Sequence, residues 1–206
     1  MSFPQKPYAD AGGYLAAYRD EVIAAWRKID EQAVIRAADL IGAAIAAGAT
    51  VFCCGNGGSA AIANHLLCDF LKGIQTDTAL RPRVSSLSSH LELITAIAND
   101  IAYDEVFAYQ LRTLARPGDV LMTISASGNS ENIVRAVAWA RANQVTSIAL
   151  TGFEGGRSAA LADLNLHVQA ANYGVVEDVH QSLMHILAQY LRQREMPAEL
   201  IAQRNF

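Results

Sequence analysis

Cysteine is nearly absent from this chain. Cys53, Cys54 and Cys68 are the only ones in 206 residues. They have neither a disulfide framework's even count nor a four-ligand zinc site's paired spacing. That excludes a disulfide-stapled secreted module and fits reduced thiols in the cytoplasm. Charge is thin as well. Asp, Glu, Lys and Arg make up 17% of the chain, and 20 acids against 16 bases give a net charge of −4. The basic footprint of a nucleic-acid binder is missing, so no direct nucleic-acid partner is expected. Long apolar runs are missing too. The most apolar early stretch, about residues 37–51, is broken by Asp39, Gly42 and Gly48, so it is no membrane span. The opening Met1-Ser2-Phe3-Pro4-Gln5-Lys6-Pro7 is polar and proline-rich, unlike a secretory signal. Against these absences, 52% of the residues are hydrophobic, ample for the core of one domain. So much apolar surface under so little charge favours self-association.

Helical spacing comes first. Leu15, Tyr18, Val22, Ile23, Trp26 and Ile29 predict a helix from Tyr8 to about Ile29, and Val34, Ala37, Leu40, Ile41 and Ile45 a second from Glu31 to Ala47, closed by Gly48. Residues 1–49 are thus expected as a helical extension, packing on the domain or on a neighbouring subunit. Alternation follows over 50–206. Strands are expected at about 50–54, 84–88, 119–124, 145–150 and 164–168. Helices are expected at about 59–72, 89–98, 103–115, 130–143, 157–162 and 176–195. The pattern predicts an α/β fold with a five-stranded parallel sheet covered by helices on both faces.

Two loops fall where such sheets bind ligands, at the carboxyl ends of strands. Gly55-Asn56-Gly57-Gly58-Ser59 follows the apolar run 50–54, and Ser125-Ala126-Ser127-Gly128-Asn129-Ser130 follows 119–124. Each reads strand, small-residue loop, helix N-terminus. Free N–H groups and the positive end of the helix dipole favour an anion there, and serine hydroxyls add donors. Neither loop has the glycine spacing of a dinucleotide site or the Lys-Ser/Thr of a nucleoside-triphosphate loop. Ser130 also suits a plain helix N-cap.

Three further groups carry chemistry. His65 and Asp69 are four apart and share a helix face, as a site or as a local pair on a solvated surface. Glu177 and His185 are eight apart, roughly 80° around a helix, although His185 in Leu183-Met184-His185-Ile186-Leu187 equally suits a core histidine. His65, Asp69, Glu177 and His185 form a candidate divalent-metal set, provided that their helices meet. Asn99-Asp100 serves as a helix-ending turn or as a holder of sugar hydroxyls.

Taken in order, these motifs resemble a known family. Gly55-Asn56-Gly57-Gly58-Ser59-Ala60 with His65, Ala98-Asn99-Asp100, residues 125–130, Leu150-Thr151-Gly152 and Glu177-Asp178-Val179-His180 with His185 resemble the sugar isomerase (SIS) fold. More narrowly, they look like its phosphoheptose isomerase group. The resemblance covers nearly the whole chain. It implies a single SIS domain, a flavodoxin-like or Rossmann-like three-layer sandwich with two leading helices. It also implies the family's reaction, sedoheptulose 7-phosphate to D-glycero-D-manno-heptose 7-phosphate, for lipopolysaccharide or other surface-glycan heptose. Homotetramers with active sites at subunit contacts are implied, as is zinc in several members.

Carried over, Asn56, Gly57, Gly58 and Ser59 form the first ligand loop, and Ser125, Ala126, Ser127 and Ser130 cradle phosphate. Asn99 and Asp100 contact sugar, His185 serves as acid/base, and His65 binds metal. The chain departs from the family pattern at Asp69, usually Glu and the catalytic carboxylate, and at Glu177, usually Gln. Gly73, with Lys72 beside it, stands where the family often has Arg. Asp69 is thereby expected in three roles, as proton carrier, substrate contact and metal ligand, and Glu177 in the last two. Rival expectations are a non-catalytic tetramer that binds the replication initiator protein, and a sensor or isomerase of another sugar phosphate.

Overall fold

A computed structural model describes residues 3–206. Two helices lead, α1 (Ala11–Trp26) and α2 (Glu31–Ala46). Then come β1 (Thr50–Gly55), α3 (Gly58–Cys68), a π-helical turn (Asp69–Gly73), β2 (Arg83–Ser86) and α4 (Leu91–Asp100). A 3₁₀ turn (Tyr103–Glu105) leads into α5 (Ala108–Leu114), β3 (Val120–Ser125), α6 (Glu131–Ala142) and β4 (Thr146–Thr151). The chain closes with α7 (Gly156–Leu161), β5 (Leu164–His167), α8 (Tyr173–Glu195) and α9 (Ala198–Ile201).

The five expected strands are all present and pair in parallel, in the order β2-β1-β3-β4-β5. Their apolar runs divide by parity, because successive side chains leave a strand on opposite faces. Val51, Cys53, Met122 and Ile124 enter the core that α2, α3 and α8 cover, with Ile41, Leu66 and Leu183. Phe52, Cys54 and Leu121 enter the other, with Phe107, Leu111 and Ile133 from α5, α6 and the segment before α5. A strand buried on both faces needs an unbroken apolar run, which is what the sequence holds.

Two helices differ from expectation. The helix expected over 59–72 leaves α geometry at Asp69, where the Ile74 N–H reaches back to the Asp69 carbonyl at 3.1 Å. The helix expected over 103–115 is split into the 3₁₀ turn and α5. No helix among the described residues is long and apolar enough to cross a membrane.

Candidate active site

From β1 the chain crosses to β2 on one side of the sheet, and β3 then takes up the other side. Between β1 and β3 lies the topological switch point, where an open sheet leaves a crevice. The glycine loop and the serine loop flank it. A cavity of about 160 Å³ opens there, lined by Asn56, Ser59, Ser125, Ala126, Ser127, Ser130, Tyr173 and Glu177. The N-termini of α3, α6 and α8 converge on it, each presenting free N–H groups and partial positive charge.

The loops are held from behind. Asn56 and the buried Asn132 exchange amide hydrogen bonds of 2.9 and 3.0 Å, and Tyr103 donates its hydroxyl to Asn56 Oδ1 at 2.9 Å. Asn129 accepts from the Arg157 backbone N–H and from its guanidinium, both at 3.1 Å. Gly128 adopts φ +63° with its α-carbon against the Gly155 carbonyl. The hydroxyls of Ser125 and Ser127 accept from the Gly128 and Asn129 N–H groups at 3.2 and 3.3 Å. Their own O–H hydrogens remain for a ligand. Ser130 holds the N-cap position of α6 without a side-chain cap bond, so its hydroxyl faces the cavity unspent.

Helices α3 and α8 lie side by side and parallel. Glu177 rests on Gly58, Gln181 meets His65, and His185 meets Asp69. The lower contacts form a closed ring. His185 Nδ1 donates to Asp69 Oδ2 at 2.8 Å, and His65 Nε2 lies 3.3 Å from Asp69 Oδ1. The Gln181 amide donates to His65 Nδ1 at 3.3 Å and to His185 Nε2 at 2.9 Å. Each imidazole then carries its proton on the nitrogen facing Asp69. The two rings meet edge to face, 4.9 Å between centroids.

Of the four expected metal ligands, His65, Asp69 and His185 come together, with ligand atoms all within 4.8 Å of one another. Glu177 does not join them and stands in the serine cavity. Eight residues separate Glu177 and His185 by about 12 Å along the helix axis as well as by roughly 80° around it, too far for one ion. The missing partner is Gln181, four residues before His185 and on its face; that i, i+4 spacing was the readable signal. Burial, with Asp178 beside it, raises the Glu177 carboxyl above its ordinary range.

Asn99 and Asp100 hydrogen-bond to each other at the exposed end of α4 and do not line the cavity. His180 is fully buried, its Nε2 3.1 Å from the Thr151 carbonyl and its Nδ1 without a partner. Burial pushes it down to about 4. Sequence reasoning also passed over Asn132, Tyr103 and Tyr173, none of which belongs to a recognisable motif.

Comparison with known proteins bears on this geometry. The SIS domain model matches residues 17–152. A phosphoheptose isomerase of Colwellia psychrerythraea is 41% identical over 147 residues, 70% of this chain and 74% of that protein. One from Alteromonas mediterranea is 38% identical over 80% of this chain and 84% of its own length. Among solved structures, the phosphoheptose isomerase of Neisseria gonorrhoeae superposes with a TM-score of 0.82 at 33% identity, over 88% of this chain and 98% of that one.

Proposed function

The chain belongs to the phosphoheptose isomerase group of the SIS-domain family, and on that footing we propose that it interconverts sedoheptulose 7-phosphate and D-glycero-D-manno-heptose 7-phosphate. The observation that carries the reading is the Asp69–His185 bond, set on two parallel helices whose N-termini meet at the serine cradle.

Phosphate is held by the hydroxyls of Ser125, Ser127 and Ser130 and the converging helix N-termini. The open sugar chain runs along α3 and α8 toward Asp69. Asp69 takes the proton from C1 of the ketose, and electrons move through an enediolate. The same proton returns to C2, while a hydroxyl proton passes from O1 to O2 with His185 as the exchanging group. Atoms balance, with neither oxidant nor water consumed. His185 orients Asp69 through their hydrogen bond, and Gln181 fixes the tautomer of both histidines.

His65, Asp69 and His185 would hold zinc once each imidazole gives up the proton on its Asp69-facing nitrogen: two imidazoles and a carboxylate leave an open fourth position. When bound there, the ion supplies polarisation of the sugar's carbonyl and hydroxyl oxygens. Family resemblance supports one zinc per subunit, a homotetramer, a cytoplasmic location and a place in surface-glycan heptose synthesis. Exposed Leu15, Ile23, Ile35, Leu91, Ile101 and Ile186 support burial of helical faces between subunits, with residues 1–49 serving that assembly. Purified protein is to be incubated with sedoheptulose 7-phosphate, with and without zinc, and the products analysed. An aldose heptose 7-phosphate is expected; its absence under both conditions overturns the reading.

A further inference from the structure

We propose that Arg192 is a positioning residue for this isomerisation, clasping the turn that carries Asp69 to the helix that carries His185. The inference rests on the isomerase reading above. Arg192 lies seven residues after His185, two turns on along the same face of α8. Only 7% exposed, its guanidinium is costly to bury unless its donors are paired. They are. Nε donates to the Thr76 carbonyl, Nη2 to Asp77 Oδ2 and Nη1 to the Asn205 carbonyl, each at 3.1 Å. The Phe206 ring packs 4.7 Å from the guanidinium carbon.

Thr76 and Asp77 are the far end of the segment that starts at Asp69. That segment opens with the π-turn, a rare i→i+5 closure often found at functional sites. The Asp69 N–H still closes on the His65 carbonyl as the last rung of α3, while beyond it the ladder widens and Thr76 and Asp77 are held from α8. Asp77 takes φ +58°, a left-handed conformation that a non-glycine residue adopts at a cost. Arg192 and Arg204, both 3.1 Å from Asp77 Oδ2, hold it there. One guanidinium thus braces the two catalytic carriers from the same distance beyond each. Between brace and pair lies a cavity of about 430 Å³, with Asp69, Lys72 and His185 on one side and Arg192 and Phe206 on the other. That cavity gives the rival role its form, Arg192 as a wall of the substrate site.

The deciding variant is Asp77→Asn, because asparagine tolerates positive φ and keeps an oxygen acceptor for both guanidiniums. Arg192→Gln, Arg192→Lys and the Arg192→Gln/Asp77→Asn pair complete the set. Expected for Asp77→Asn is a kcat about tenfold lower, the scale of a small misplacement of catalytic groups, with KM within about twofold. Arg192→Gln is expected to lose as much, Arg192→Lys to recover part of it, and the double variant to lose no more than Arg192→Gln alone. An activity-independent readout is the proton NMR signal of the His185 Nδ1–H held by Asp69, expected to weaken in Asp77→Asn. Folded Asp77→Asn with both kcat and that signal unchanged overturns the proposal. So does a raised KM at unchanged kcat, which makes Arg192 a binding wall. If the wild-type protein has no turnover, the isomerase reading fails, while the NMR signal still decides whether the clasp sets the pair.

Discussion

His185 Nδ1 donates to Asp69 Oδ2 at 2.8 Å, joining residues 116 positions apart in the chain. Asp69→Asn preserves shape and removes the proposed proton carrier, and His185→Ala removes its hydrogen-bond partner. Each is expected to lower kcat by roughly 10²–10⁴-fold, the usual worth of general acid–base help. Steady-state kinetics on protein with an unchanged circular-dichroism spectrum checks this; retention of more than a tenth of the rate removes Asp69 from the mechanism.

Gln181 donates to both imidazoles. Gln181→Leu keeps the volume and deletes the donors, freeing both histidines to change tautomer. An activity loss of about tenfold is expected, the cost of mis-set catalytic geometry remaining below that of losing the base. Histidine ¹⁵N shifts read the tautomers directly.

Zinc affinity tests the three-residue donor set. His65→Ala is expected to weaken binding at least tenfold, since even outer-shell partners are worth about 10–100-fold. Glu177→Gln is expected to leave it nearly unchanged, because Glu177 stands apart from the set. Competition against a chromogenic chelator measures both, and equal losses in the two variants would restore Glu177 as a ligand.

Gly128 has no room for a side chain. A Cβ there would collide with the Gly155 carbonyl, at a φ of +63°. Gly128→Ala is expected to destabilise the fold by more than about 2 kcal/mol, since left-handed strain alone costs about 1–2 kcal/mol. Urea denaturation provides the measurement, and a change within experimental error would show that the loop yields.

His180 gives stability a pH dependence. Its native value near 4 lies below the ordinary 6.5, so below pH 6.5 the unfolded chain binds a proton that the native chain refuses. Stability from this group is complete above about pH 6.5 and falls as pH drops toward 4, by roughly 3 kcal/mol over the window. His180→Gln, which keeps an amide donor for the Thr151 carbonyl, is expected to flatten the melting temperature across that range relative to wild type. Parallel curves for the two proteins would assign the acid sensitivity to carboxylates instead.

Much of this was readable in the residues. All five expected strands formed within a residue or two; the three central ones, β1, β3 and β4, were the most legible, because a strand buried on both faces is largely apolar along its length. Both small-residue loops fell where expected, after β1 and β3 and ahead of α3 and α6. The π-turn at Asp69 was not readable. Asp-Phe-Leu-Lys-Gly has ordinary helical composition, and its wider closure depends on what anchors Thr76 and Asp77 from α8. Likewise Asn132 and Tyr103 look like any surface polar residues until the sheet brings Asn56 to them.

The sequence by itself determined the parallel sheet, the two loops at its switch point and the candidacy of His65, Asp69 and His185, because periodicity and small-residue spacing are local. Tertiary structure decided which of those groups meet. Running α3 and α8 in parallel put Gln181 beside the histidines and left Glu177 above Gly58 in the serine cavity. That choice depends on how two helices slide along one another, which side-chain packing fixes and no single helix encodes.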